Sequence, residues 1–184
     1  KQFLRLRKAA AEIGDEGIRM YLGCELHSSM DMTDCLKKGE RLTMAGSRYV
    51  LVEFRTTDEK SYIRERVQAL IRRGYYPIIA HVERYRSVVK GGLDFIDELR
   101  DMGAYIQMNA DSIIGEDGFM IKRFCKKVIK EEMLDFVGSD GHDMAKRTPH
   151  IGKCYDKIEK MMGTDYADMI FISNPECIIH NERF

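Results

Sequence analysis

Gly74-Tyr-Tyr-Pro-Ile-Ile-Ala-His81-Val-Glu-Arg84-Tyr85 is the stretch on which the fold turns. A glycine closes a helical pattern, an apolar run rich in aromatic and β-branched residues follows, and the run ends on a histidine. A run of this length bounded by turn residues reads as a buried strand. The same grammar recurs in Arg19-Met-Tyr-Leu-Gly-Cys-Glu25, Tyr49-Val-Leu-Val-Glu53, Tyr105-Ile-Gln-Met-Asn109 and Phe136-Val-Gly-Ser-Asp140, each closing on a polar group. Between these runs lie helix-period segments at about 58–73, 92–102, 118–131 and 151–162, three of them stopped by Gly74, Gly103 and Gly163 where a C-terminal cap is favoured. Strand and helix alternate, which predicts an α/β fold of repeated βα units around a parallel sheet. Asn174-Pro175 reads as a final turn before a short apolar tail at Ile178-Ile179.

The spacing places the polar ends relative to one another. Glu25, Glu53, His81 and Asn109 stand 28 residues apart, and Asp140 follows 31 residues later. An interval near 30 residues is about one strand, one helix and two loops. These positions therefore occupy equivalent places in successive units and share one rim, the rim where catalytic residues of α/β barrels collect.

With 184 residues, 44% of them hydrophobic, the chain suffices for one domain over 1–184. Lys plus Arg (30) balances Asp plus Glu (30), so no overall field draws it to nucleic acid or to an anionic membrane surface. The longest apolar runs, such as Tyr76 to Ala80 and Met169 to Ile172, are far short of a membrane span, and no signal-peptide pattern opens the chain. Membrane insertion is not expected, and a cytoplasmic location is. Cysteines at 24, 35, 125, 154 and 177 form no Cys-x-x-Cys pair and suit reduced thiols. Phe3, Leu4, Leu6, Ala9, Ala10 and Ile13 give an amphipathic helical pattern with no initiator Met and no N-cap, so the expectation is that the chain's natural start lies upstream.

Glu25, Glu53, His81, Asp140 and His142 bring three carboxylates and two imidazoles to the expected rim. Any one of them alone reads as a solvated loop residue. Together they would repel unless something positive sat among them, and a metal cluster meets that need. Oxygen and nitrogen ligands without thiolate suit Mn²⁺, Fe²⁺ or Zn²⁺ in a site of two or three ions. Arg84 and Arg147 stand nearby, and a guanidinium fork holds phosphate oxygens. The plainer readings are a salt bridge from Arg84 to Glu83 or Asp140 and a surface charge for Arg147. The combined expectation is phosphoester hydrolysis by a water activated on metal, with the arginines stabilising the transferred oxygens.

The motifs resemble the polymerase and histidinol phosphatase (PHP) superfamily, and within it the bacterial manganese-dependent tyrosine phosphatases of capsule and exopolysaccharide loci. The matching segments are Gly23-Cys-Glu25, Ser47-Arg-Tyr-Val-Leu-Val-Glu-Phe54, Gly74 to Tyr85, Gly103-Ala-Tyr-Ile-Gln107-Met-Asn109-Ala, Gly138-Ser-Asp140-Gly-His142 and Asn174-Pro175, covering nearly the whole chain. The resemblance implies a distorted (β/α)₇ TIM-like barrel, the PHP fold, carrying three metal ions, usually Mn²⁺. Glu25 matches a bridging carboxylate, Glu53 and His81 further ligands, and Asp140 and His142 the last pair. Arg84 and Arg147 match phosphate-binding arginines, with Tyr85 beside the substrate. It further implies as partner the phosphotyrosine tail of a bacterial tyrosine kinase that controls polysaccharide export. Val82, Arg55 and Gly141 depart from the family's usual Pro, Pro and Ala, which alters shape rather than ligands. The family also opens with a strand bearing His-x-His, then an Asp and a further His, upstream of the position of Glu25. Only 24 residues precede Glu25, so the expectation is a chain truncated at its N-terminal strand or strands.

Three other readings compete. Histidinol-phosphatase-like enzymes of the same superfamily share the metals but not the His81-Val-Glu-Arg84-Tyr85 context. An inactive regulatory module would use only an arginine pocket for phosphate. Cys35-Leu-Lys-Lys-Gly-Glu-Arg41 fits the Cys-x₅-Arg spacing of thiolate phosphatases but lacks their preceding His and Gly-rich loop. Cys35→Ser is expected to leave phosphatase activity intact while a chelator abolishes it; the reverse result in an aryl-phosphate assay would overturn the metal mechanism.

Overall fold

The computed structural model describes residues 2–13, 17–142 and 148–184. Five parallel strands lie side by side in chain order: β1 (Glu25–His27), β2 (Tyr49–Glu53), β3 (Tyr76–Ile79), β4 (Tyr105–Asn109) and β5 (Phe136–Gly138). Parallel neighbours require a crossover. It is supplied by α2 (Met32–Lys37) after β1, α3 (Lys60–Arg72) after β2, α4 (Arg86–Asp101) after β3, and α5 (Ala110–Ile114) with α6 (Phe119–Lys130) after β4. Before the sheet comes α1 (Gln2–Ala11); after it come α7 (Ile151–Met162), α8 (Thr164–Asp168) and α9 (Asn174–His180).

Three local expectations are corrected. The run expected to end at Glu25 begins its strand there instead, because only Glu25 to His27 finds partners on β2, Glu25 facing Leu51 and His27 facing Glu53. The helix expected over 92–102 starts at Arg86 and is broken at Gly92 (φ 67°), so a first short segment packs ahead of the expected one. Asn174-Pro175 opens α9 rather than a turn: proline in the first helical turn presets φ, and its missing N–H would have been unpaired anyway.

The sheet is apolar on both faces at its base, as the unbroken runs require. Val50, Val52, Ile79, Ile106 and Met108 pack toward the helices with Val67, Leu70 and Ile96. On the other face Tyr49, Ile78, Tyr105 and Phe136 form a second cluster, with the Tyr49 ring 5.1 Å from Tyr76 and 5.4 Å from Tyr105. The Tyr49 hydroxyl donates to the Glu182 carbonyl at 2.7 Å, which fastens the C-terminal segment across this end. Further along the same face turns polar, four residues after Tyr49 at Glu53 and two and four residues after Tyr105 at Gln107 and Asn109.

Asp135 locks α4, β4 and β5 together. Its carboxylate accepts the Ile106 N–H at 2.7 Å and an N–H of Arg100 at 3.3 Å. Burial dominates and raises its pKa above 3.8. The folded state therefore keeps the proton to a higher pH than the unfolded chain, and stability falls as pH rises through that interval, with the full penalty above it. Asp135→Asn removes this dependence. In urea unfolding from about pH 3 to 7 the wild type is expected to lose stability relative to the variant as pH rises; a difference that stays flat or slopes the other way would refute the assignment.

Candidate metal centre

His81 is delivered to the site by its backbone. It follows β3 in the left-handed region (φ 33°, ψ 54°), a conformation rare for a residue with a Cβ. Gln107 holds it there, its Oε1 accepting the His81 N–H at 2.6 Å. The Gln107 amide nitrogen then donates to the Met108 carbonyl at 2.9 Å and to Asn109 Oδ1 at 3.2 Å. The Asn109 amide donates to Asp140 Oδ2 at 3.1 Å, and Arg84 Nη1 pairs with that same oxygen at 2.7 Å. A row of hydrogen bonds thus runs across three strand ends. Gly138 makes room for it, since a Cβ there would lie 2.4 Å from the Gln107 amide nitrogen.

Glu25, Glu53 and His81 meet. Their ligand atoms all lie within 4.8 Å of one another, His81 Nε2 being 2.8 Å from Glu25 and 3.8 Å from Glu53. Two carboxylates and an imidazole at such separations, with no thiolate among them, match the donor set of a divalent transition metal. Asp140 and His142 are not in that group. Asp140, at φ 48°, is turned to Arg84 and Asn109, although it lines the same cavity as Glu25 and His81. His142 is exposed, with Nδ1 2.8 Å from the Asp140 carbonyl. The Arg84 salt bridge with Asp140 is thus present, while the Arg84 side chain remains about a third exposed at 35%. Arg147 lies outside the described residues.

Tyr85, expected beside the substrate, is instead wholly buried. Its hydroxyl accepts the Phe54 N–H at 3.1 Å and lies 3.2 Å from His81 Nδ1. With Nδ1 protonated toward that hydroxyl, Nε2 presents its lone pair to the Glu25 and Glu53 side, the usual arrangement for a metal-binding imidazole. Burial drives the phenol pKa well above its ordinary value, so it stays a neutral hydrogen-bonding group. Glu83 also points inward: its Oε1 accepts the Asn109 N–H at 2.9 Å, and burial raises its pKa.

Two contributors escaped the sequence reading. His27 stands with Nδ1 3.5 Å from Glu53 Oε1, and strand alternation with Glu25 could have placed it on this face. Gln107 carries no ligand, yet a buried amide in an apolar strand demands partners, and that demand marks it.

The cavity beside the cluster has a volume of about 240 Å³, with Glu25, His81, Asn109 and Asp140 on one side and Leu51, Ile78, Phe136 and Ile178 on the other. Such a sheet and site define a class: α/β proteins that gather carboxylates and imidazole at strand ends, a donor set able to take a metal ion. Within that class the chain belongs to the CpsB/CapC family of capsular polysaccharide synthesis, which it matches over residues 1–180. It is 30% identical to the tyrosine-protein phosphatase CpsB of Streptococcus pneumoniae, across 99% of this chain and 76% of that protein. It is 29% identical to the putative tyrosine-protein phosphatase CapC of Staphylococcus aureus, across 96% and 68%. Among solved structures it is similar to a chain from the study of YwqE of Bacillus subtilis and CpsB of S. pneumoniae, described as unique metal-dependent tyrosine phosphatases. The TM-score is 0.85 at 25% identity, covering 98% of this chain and 75% of that one.

Tyr85→Phe leaves the Phe54 N–H and His81 Nδ1 without their partner. It is expected to cost about 1–3 kcal/mol in chemical unfolding and to weaken metal binding by about 10–100-fold in calorimetric titration. Unchanged metal affinity would remove Tyr85 from the site.

Proposed function

We propose that the protein is a metal-dependent phosphatase acting on phosphotyrosine in proteins, its partner being the tyrosine-rich tail of a bacterial tyrosine kinase that controls polysaccharide export. The observation that carries this reading is the meeting of Glu25, Glu53 and His81 within 4.8 Å, with Arg84 paired to the Asp140 that lines the same cavity. Glu25, Glu53 and His81 would hold metal, with Asp140 and His142 as further ligands of a two- or three-ion site; the donor set suits Mn²⁺, Fe²⁺ or Zn²⁺, and the family resemblance favours Mn²⁺. Bound there, divalent ions supply a hydroxide nucleophile near neutral pH and neutralise charge on phosphate.

The chain's own residues do the rest. One Arg84 nitrogen is engaged by Asp140, which orients the guanidinium while its remaining N–H groups serve phosphate oxygens. Arg147 is proposed as a second phosphate contact. The apolar side of the cavity, Leu51, Ile78 and Phe136, suits the phenyl ring of a phosphotyrosine. A phenolate, with a pKa near 10, leaves more readily than an alkoxide, so the site manages without a strong general acid. For the fold, the sequential parallel order of the five strands supports a distorted (β/α)₇ barrel in a single domain. Five unpaired cysteines favour a reducing, cytoplasmic setting, and among the described residues no helix is long and apolar enough to cross a membrane.

Chelation is expected to lower phosphotyrosine hydrolysis by at least about a hundredfold, with recovery on adding Mn²⁺. Arg84→Lys should lower kcat/KM by about 10–100-fold because an ammonium cannot reproduce the planar fork. Hydrolysis that persists without metal would sink the proposal. A metal-loaded protein that binds phosphate but hydrolyses nothing would instead make it an inactive phosphate-binding module.

A further inference from the structure

Lys122 and Lys126 of α6 and Lys157 and Lys160 of α7 surround a cavity of about 250 Å³ whose walls are Ile113, Ile129 and Met161. No carboxylate lines it, and none of the four ammonium groups forms an ion pair with a described residue. Lys157 is fixed at its edge, donating to the carbonyls of Ile113 at 2.6 Å and Ile114 at 3.1 Å. Burial first, and the facing charge of Lys122 second, pull the Lys157 ammonium below its ordinary pKa. In a chain of zero net charge this is a local concentration of cations without an ion-pairing carboxylate among the described residues. An apolar pocket ringed by uncompensated positive charge complements a ligand with negative charges around an apolar group.

The short α5 links the pocket to the rim of the candidate metal centre. Asn109 is on the rim, α5 begins at the next residue, and Ile113, four residues on, is already a wall of the lysine cavity. Four residues of helix advance about 6 Å, whereas an extended peptide covers about 3.3 Å per residue. A substrate chain with its phosphotyrosine at the metal could reach this cavity within a few residues.

We infer that the cavity between α6 and α7 docks an acidic segment of the protein substrate, a stretch with several carboxylates flanking one apolar side chain near the phosphotyrosine. The inference rests on the phosphatase reading for the identity of the substrate, but docking itself can be measured without catalysis. A peptide is favoured because the lysines ring a concavity sized for one side chain and come from two helices. The competing occupant is an anionic lipid surface, since Phe119 and Met120 stand exposed at 73% and 72% where α6 begins.

The test uses Lys126→Glu with Lys160→Glu, since neither side chain makes a hydrogen bond to a described residue, and Lys126→Arg with Lys160→Arg as the conservative pair. A labelled, unphosphorylated peptide with leucine between glutamates is titrated by fluorescence anisotropy. The Glu pair is expected to raise Kd by about tenfold or more and the Arg pair to leave it near wild type. For a phosphopeptide carrying the same segment, KM should rise by a similar factor with kcat unchanged, while kcat/KM for free phosphotyrosine stays constant. An unchanged Kd in the Glu pair would overturn the inference. So would lysine-dependent binding to vesicles of phosphatidylserine and phosphatidylcholine with none to the peptide. If the peptide binds through the lysines but the phosphopeptide is not hydrolysed, docking stands and the phosphatase reading falls.

Discussion

The hydrogen bond from the His81 N–H to Gln107 is the contact on which the site depends. A histidine with positive φ is held in a costly backbone conformation and needs a partner that rewards it. Gln107 provides that reward at 2.6 Å and, through its other end, ties the same point to Asn109, Asp140 and Arg84. The imidazole is therefore aimed by β4 as much as by its own strand. An amide suits this place because it both accepts and donates, and each of its bonds lies in a buried setting where an unmade one is expensive.

That row is affordable because the rest of the sheet is apolar. One face packs Val50, Val52, Ile106 and Met108 against helices, and the base of the other packs Tyr49, Tyr105 and Phe136. Polar side chains gather at one end of the sheet, at Glu25 and His27 of β1, Glu53 of β2 and Gln107 and Asn109 of β4. The rigid base and the polar rim are two ends of the same strands. A centre that must keep carboxylates close together despite their repulsion is best built on such a platform, where small displacements are resisted by close packing.

Asp140 acts between two roles. Its carboxylate holds Arg84 and receives Asn109, and it borders the cavity that Glu25 and His81 also line. The motif His81-Val-Glu-Arg84-Tyr85 divides likewise: His81 lines the cavity and Arg84 pairs with Asp140 at its wall, while Glu83 and Tyr85 turn inward and hold Asn109, Phe54 and the imidazole. Five adjacent residues thus supply both the reactive surface and its support. Neighbours in sequence end up in different environments because the tight turn after β3 reorients each side chain in succession.

The alternation of apolar runs with helical periods was enough to reveal parallel βα architecture, and the interval of 28 residues was enough to put Glu25, Glu53 and His81 on one rim. Both follow from local rules: the alternating faces of a strand and the nearly constant length of a βα unit. What the sequence could not reveal is register and rotation. Equal spacing suggested equal height, yet Glu25 faces Leu51 while His27 faces Glu53, because pairing is set by how the whole sheet packs. Nor could it tell that Tyr85 lies buried against His81, that Asp140 is turned toward Arg84, or that four lysines from two helices enclose one cavity. The last two join residues tens of positions apart, and the first depends on the turn that follows β3, so only the packed chain brings these groups within the few ångströms at which hydrogen bonds and charges act.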